Sequence, residues 1–152
     1  MVKVSSKGEY ALRALLVLGQ QPGKVYTINE IAEQTLVTAK YLEQILIKLR
    51  KLGYVQSKRG VHGGYMLSLS PADISIGDVI RQIEGPLSPM GCTSVTAYVP
   101  CPLEEGCLLK PLWKVVRDTV AHVLEQTTLD DLLHKRIKSP LGGEELVKKQ
   151  NR

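Results

Sequence analysis

Apolar positions recur at helical spacing along most of the chain. Ala11, Leu12, Ala14, Leu15, Leu16, Val17 and Leu18 leave almost no polar side. That pattern predicts a helix buried between other elements, capped by Ser6 or Ser5 and running to about Gly19. Gln20 to Lys24, with Pro22-Gly23, ends it. Thr27-Ile28-Asn29-Glu30 has the form of a capping box and opens a short helix to about Gln34. After a break, Thr38 is the cap of a longer helix from Ala39 to about Leu52. Its Leu42, Ile45, Leu46, Leu49 and Leu52 recur three and four apart, and Gly53 stops it.

Two strand-like runs follow, Tyr54-Val55-Gln56-Ser57 and Tyr65-Met66-Leu67-Ser68-Leu69. Lys58-Arg59-Gly60-Val61-His62-Gly63-Gly64 joins them as a glycine-rich, basic hairpin tip. Pro71 ends the hairpin, Ser75 caps a helix through Ile83, and Gly85-Pro86 breaks it. Residues 86–107 are irregular. A long helix runs from about Leu108 to Gln126, with Leu109, Leu112, Val116, Val120 and Val123 forming a seam for another helix and Trp113 beside it. Thr128-Leu129-Asp130-Asp131 opens a last short helix ending near His134.

Short helix, tight turn and longer helix with a basic outer face read as a helix-turn-helix, and the hairpin as its wing. The predicted fold is mostly α with a small β-hairpin: a winged helix-turn-helix over 1–85, a cysteine-containing loop over 86–107, and a long dimerisation helix with a short terminal helix over 108–135. A disordered tail is expected over 136–152.

Charge sharpens this picture. The 152 residues carry a net charge of +5, distributed as +1 over 1–37, +5 over 38–62, −5 over 63–133 and +4 over 134–152. One segment with six basic residues and one acid, beside an acidic remainder, is the electrostatic footprint of a nucleic-acid contact; the bland alternative is a solvated basic face. No run of 18 apolar residues exists, and the start of the chain lacks a signal-peptide pattern, so a cytoplasmic protein without a membrane partner is expected. The wing glycines lack the Gly-Lys-Ser/Thr ending and strand–loop–helix context of a nucleotide cradle.

The three cysteines, Cys92, Cys101 and Cys107, stand in one loop with eight and five residues between them. Three thiolates on such a segment can converge on one metal centre. The short Cys pair typical of structural zinc is missing, while iron–sulfur sites tolerate wider spacings. Free surface thiols, or a redox disulfide between two of them, remain the alternative. No cysteine has a paired histidine in the loop and no carboxylate pair marks a pocket, so an enzyme is not expected; an interaction module with a vestigial helix-turn-helix is a further alternative.

The chain resembles the BadM/Rrf2 family of bacterial winged-helix regulators, in its IscR-like, iron–sulfur-binding branch. The residues carrying the resemblance are Ser6-Lys7-Gly8-Glu9-Tyr10-Ala11, Tyr41-Leu42-Glu43-Gln44, Leu49-Arg50-Lys51 with Gly53, Arg59-Gly60 with Gly63-Gly64-Tyr65, Gly77-Asp78-Val79-Ile80, and Glu84-Gly85. It implies a homodimer built on the long helix, agreeing with the seam at Leu109 to Val123, and two wings over a palindromic double-stranded DNA operator. It also implies Cys92, Cys101 and Cys107 as ligands of an iron–sulfur cluster, 2Fe–2S ahead of 4Fe–4S, sensing iron, redox or nitric oxide status. The histidine that IscR-like members place three residues after the last cysteine is Lys110 here; nitric-oxide- and redox-sensing relatives use an acid in the first helix, and this resemblance implies Glu9 of a second copy as fourth ligand. The loop is expected to gain its order from ligation. A thiol, disulfide or zinc switch on the same fold is the alternative.

For DNA, Lys40, Tyr41, Glu43 and Gln44, near the Thr38 cap, are the base-edge candidates. Arg59, with Gly60, His62 and Gly63 around it in the wing, is the minor-groove candidate. Lys48, Arg50, Lys51 and Lys58 are expected on phosphates, with Ser6 and Lys7 beside them. Whether such a protein represses or activates, and at which genes, does not follow from its residues.

Overall fold

Helix caps decide where the elements begin. The computed structural model describes residues 3–142 and contains α1 (Ser6–Gly19), α2 (Ile28–Thr35), α3 (Ala39–Lys51), β1 (Val55–Lys58), β2 (Gly64–Leu67), α4 (Ile76–Glu84), α5 (Lys110–Gln126) and α6 (Leu129–Leu133). Of the two candidates for the α1 cap, Ser5 takes the role: its Oγ accepts from the Gly8 N–H. The Thr27 box is complete, Thr27 N–H donating to Glu30 Oε2 at 2.7 Å and Glu30 N–H to Thr27 Oγ1 at 3.2 Å. Those bonds hold the Glu30 carboxyl below its ordinary pKa, the backbone bond at Thr27 first among the causes. Thr38 Oγ1 caps α3. At the other end Gly53 takes φ +88, the Gly53 N–H reaches Arg50 O and the Tyr54 N–H reaches Leu49 O. This pair of bonds is the Schellman closure that a left-handed residue permits.

α1 runs through the middle of the core. Ala11, Ala14, Leu15 and Leu18 are fully buried, packed with Ile31, Leu42, Leu46, Leu49, Ile74 and Val79 from the surrounding elements. β1 and β2 pair antiparallel with Val55 opposite Leu67 and Lys58 opposite Gly64. The sheet has a further member that periodicity did not suggest: Tyr26, just before α2, exchanges two backbone hydrogen bonds of 2.8 Å with Tyr65. A single bridging residue has no alternation to read. It explains Gly64, where a Cβ would stand 2.2 Å from Tyr26 O; the wing's second strand can reach Tyr26 only without a side chain there.

The regions read as successive domains share one core. Ser75 and Thr128 form an isolated bridge, with Ile76 N–H on Thr127 O and Leu129 N–H on Ile74 O, both 2.9 Å. This returns α6 to α1, so that Leu129 is fully buried in the same cluster as Leu15 and lies against Gly19. α5 is different: it has no buried residue. Leu109 stands at its N-cap position rather than inside the helix, and α5 is braced on α4 by the Arg81–Glu125 ion pair. Of the expected tail, residues 143–152 lie outside the described residues. Within 136–142 the chain is irregular, yet Arg136 pairs with Asp130 and Asp131.

Candidate nucleic-acid interface and cysteine loop

One face of α3 is the core and the other is free. Leu42, Ile45, Leu46 and Leu49 are buried, which leaves Lys40, Glu43 and Gln44 in solvent on the first turns, with Thr38 exposed at the cap. Tyr41 differs from its neighbours: its ring is half-buried and meets Tyr10 of α1 edge-on at 5.7 Å. Lys48 is half-buried, while Arg50 and Lys51 are exposed at the C-terminal end, where positive charge complements the helix dipole. Arg50 donates to Ser57 Oγ at 3.3 Å, joining the recognition helix to the wing.

In the wing, Lys58, Arg59, Gly60, Val61 and His62 are all exposed, and Gly63 is half-buried. Gly63 folds the tip back by donating its N–H to Gly60 O. An open cleft of about 400 Å³ separates the wing base from the start of α3, lined by Thr27, Lys40, Glu43, Gly63, Gly64 and Tyr65 among others. Ser6 and Lys7 are exposed at the start of α1. That terminus is fixed by the Glu84 carboxylate, which accepts from Ser5 N–H at 2.9 Å and Ser5 Oγ at 2.7 Å. Nothing in the spacing suggested this tie, which crosses 79 residues.

A second singular position lies in the turn between α2 and α3. Leu36 is 91% exposed and adopts φ +57, left-handed backbone that a leucine rarely takes.

The cysteine loop carries hydrogen bonds of its own. Thr93, nearly fully buried, donates to Met90 O and shares a 2.8 Å hydrogen bond with Ser88. Val99 N–H closes on Gly91 O at 3.0 Å. Further along, Glu104 N–H donates to Cys101 O and Cys107 N–H to Glu104 O. The Glu104 carboxylate takes bonds from Lys110 Nζ and the Tyr98 hydroxyl. Lys110 first, then Tyr98, hold this carboxyl below its ordinary pKa; the same contact raises Lys110.

Cys92, Cys101 and Cys107 are free and half-buried. As a donor set, three thiols in one loop suit an iron–sulfur or other thiophilic metal centre. Among the described residues of one chain, however, no three potential ligands stand together ready to hold a metal. Glu9 lies on α1, half-exposed and paired with Arg13 at 3.1 Å. Lys110, at the position where a histidine ligand would sit, is committed to Glu104. Along α5 and its N-cap, Leu109 and Leu112 are exposed and Trp113, Val116, Val120 and Val123 half-buried, so the described residues cover the seam only in part. No helix among the described residues is long and apolar enough to cross a membrane.

Comparison with known proteins agrees with this arrangement. The Rrf2 family model, described as iron-dependent transcriptional regulator, matches residues 4–135. The regulator CymR of Bacillus subtilis is 38% identical over 132 residues, covering 86% of this chain and 89% of that one. Its solved structure, that of the global cysteine regulator, superposes with a TM-score of 0.75 over 88% of this chain and 98% of that chain. The regulator IscR of Pectobacterium carotovorum is 34% identical over 137 residues, 89% of this chain and 81% of that one. The T. potens IscR structure gives a TM-score of 0.69 at 35% identity, over 87% of this chain and 86% of that one.

Proposed function

The chain belongs to the Rrf2 family of transcriptional regulators, and we propose that it is a homodimeric, operator-binding member whose affinity for DNA is set by an iron–sulfur cluster. The observation that carries this reading is the coexistence of two features on one small fold. One is an exposed basic helix-and-wing face, and the other is a loop with three free thiols that is hydrogen-bonded to the long helix at Thr93.

At the DNA, Lys40, Glu43 and Gln44 offer their side chains to the major groove, a carboxylate suiting a cytosine amine and an amide suiting adenine. Arg59 enters the narrow groove beside the wing. Lys48, Arg50, Lys51 and Lys58, with Ser6 and Lys7 at the capped start of α1, supply phosphate contacts that give affinity without sequence information. The α5 stripe from Leu109 to Val123 is the dimer interface, placing two such faces over a palindromic operator. Its exposed apolar residues support this role.

Cys92, Cys101 and Cys107 of one chain, with Glu9 of the other, would hold the cluster. Bound there, it would supply a redox- and ligand-sensitive link between loop and partner. The chain's own residues then do the rest: the loop lies on α5, and α5 sets the angle between two recognition helices. Half-sites need a spacing of about 34–36 Å for both helices to enter the groove together. A thiol or zinc switch is the second reading. The observation behind it is that Cys92, Cys101 and Cys107 are free thiols in one loop.

The test joins composition to binding. Protein purified without oxygen is assayed for iron, sulfide and visible absorption, then titrated against operator DNA with and without its metal. Iron and sulfide in similar amounts, with a change in operator affinity on their removal, are expected. Colourless protein, or equal affinity in both states, overturns the cluster reading in favour of the thiol switch. Log affinity should fall with log salt at a slope of about −5 to −9 if a dimer neutralises roughly 6–10 phosphates.

A further inference from the structure

The cysteine loop contains two small knots, and each is tied to α5 by one cation. In the first, Met90 to Ser94, the turn around Cys92 is closed by Thr93 N–H on Met90 O and Ser94 N–H on Gly91 O, both 3.1 Å. Arg117 Nη1 donates to the carbonyl of Thr93 at 2.5 Å, while its other nitrogens hold Asp118 at 2.7 Å. In the second, Tyr98 to Lys110, Glu104 sits between Cys101 and Cys107, bonded through its backbone to both, and its carboxylate is gripped by Lys110. These tying side chains are largely covered: Lys110 is 25% exposed, Glu104 19% and Arg117 20%.

Lys110 and Arg117 are seven residues apart, two turns of helix, so they lie on one face about 10 Å from each other along the axis. Neither knot belongs to a sheet, and no residue of α5 is fully buried, although Leu87, Thr93 and Ser94 of the loop are buried. The polar ties add to that packing the fixed points on α5 nearest the thiols.

We propose that Lys110 and Arg117 are positioning residues that strap the cysteine loop to α5 at two points, Lys110 placing Cys101 and Cys107 through Glu104, and Arg117 placing Cys92 through Thr93. The two knots touch, Val99 N–H donating to Gly91 O at 3.0 Å, yet no three ligands assemble among the described residues of one chain. A centre that draws all three thiols together must act on α5 through both straps at once. This last step rests on the metal-centre reading above; the straps themselves do not.

Hydrogen exchange on the metal-free protein tests the straps. Losing one cation should open only its own knot, so Lys110→Met should speed the Glu104 and Cys107 amides roughly fivefold and leave Thr93 and Ser94 at the wild-type rate. Arg117→Met should do the reverse. Glu104→Gln keeps the shape and removes the charge, and should reproduce the Lys110→Met pattern. No change in either knot, or equal speeding of both by one substitution, overturns the proposal. A second arm uses anaerobically reconstituted protein and a chelator. Both methionine variants should keep the wild-type visible bands, because neither residue is a ligand, and lose iron several-fold faster. Iron lost at the wild-type rate overturns the link from straps to metal centre. A wild type that takes up no iron overturns the cluster reading while the exchange pattern still decides the straps.

Discussion

α3 and α5 look alike in sequence, each an amphipathic helix with apolar residues three and four apart, and the fold treats them in opposite ways. α3 buries Leu42, Ile45, Leu46 and Leu49 at 2% exposure or less, and its polar side is free because its apolar side is fully used. α5 has no fully buried residue: Ala121 and Leu124 pack only partly on the core, and its stripe ends in exposed Leu109 and Leu112. The Arg81–Glu125 ion pair and the Lys110 and Arg117 ties add to that packing. A reading surface must keep its shape, and a dry core gives it one. A sensing element must change its neighbours, and polar ties of low individual strength leave it free to do so.

The largest expected effect breaks the α3 side. Leu46→Ala removes a fully buried side chain from the centre of the core and should cost about 2–5 kcal/mol in denaturant unfolding. Leu112→Ala on α5, by contrast, should leave the unfolding of the isolated chain within about 0.5 kcal/mol of wild type. Equal losses would erase the distinction between the helices.

Next in size is the partner-dependent effect. Val116→Asp places one charge per chain in the α5 stripe, and burying two like charges against each other should cost several kcal/mol. Sedimentation should show a monomer that is folded by circular dichroism but has lost tight operator binding. A stable Val116→Asp dimer would place the interface elsewhere.

A smaller effect probes the turn between α2 and α3. Asparagine tolerates the left-handed backbone that Leu36 is forced into, so Leu36→Asn should raise stability by about 0.5–1 kcal/mol. No gain would mean that the exposed leucine has a contact within the protein that offsets its strain.

The smallest is a pH effect at the capping boxes. The Asp131 carboxyl is held below its ordinary pKa, first by the Thr128 backbone N–H and then by the Thr128 hydroxyl and Arg136; Glu30 is lowered in the same way at Thr27. For a lowered carboxyl, the stabilisation is present above the unfolded pKa of about 4 and is lost as pH falls through the folded value beneath it. The denaturation midpoint should thus hold from neutral pH down to roughly 5 and decline below about 4, with a shallower decline in Asp131→Asn.

The elements built from local chemistry were legible without coordinates. Thr27-x-x-Glu30, Thr38, Ser75 and Gly53 all cap or stop helices as their positions predict, because a cap is made by residues three or four apart. The basic wing and the exposed side of α3 were legible for the same reason. What was missed joins distant residues. The Tyr26–Tyr65 bridge, the Glu84 clamp on Ser5 and the return of Leu129 to the core leave no periodic trace. The hydrogen bonds of the cysteine loop leave no trace either, because Tyr98, Glu104, Lys110 and Arg117 meet in space rather than along the chain.

Local sequence is enough for the helices and their caps, the hairpin, the concentration of positive charge on one segment, and the placement of three thiols within one loop. Each is a property of near neighbours along the chain, where backbone geometry leaves few alternatives. Contacts between distant segments set the rest: Tyr41 packs on Tyr10, Lys110 is occupied by Glu104, and α3 is covered more fully than α5. The physical reason is that burial and pairing depend on what the rest of the chain brings to a side chain, and two helices with the same apolar spacing do not encode which one will find a partner inside the molecule.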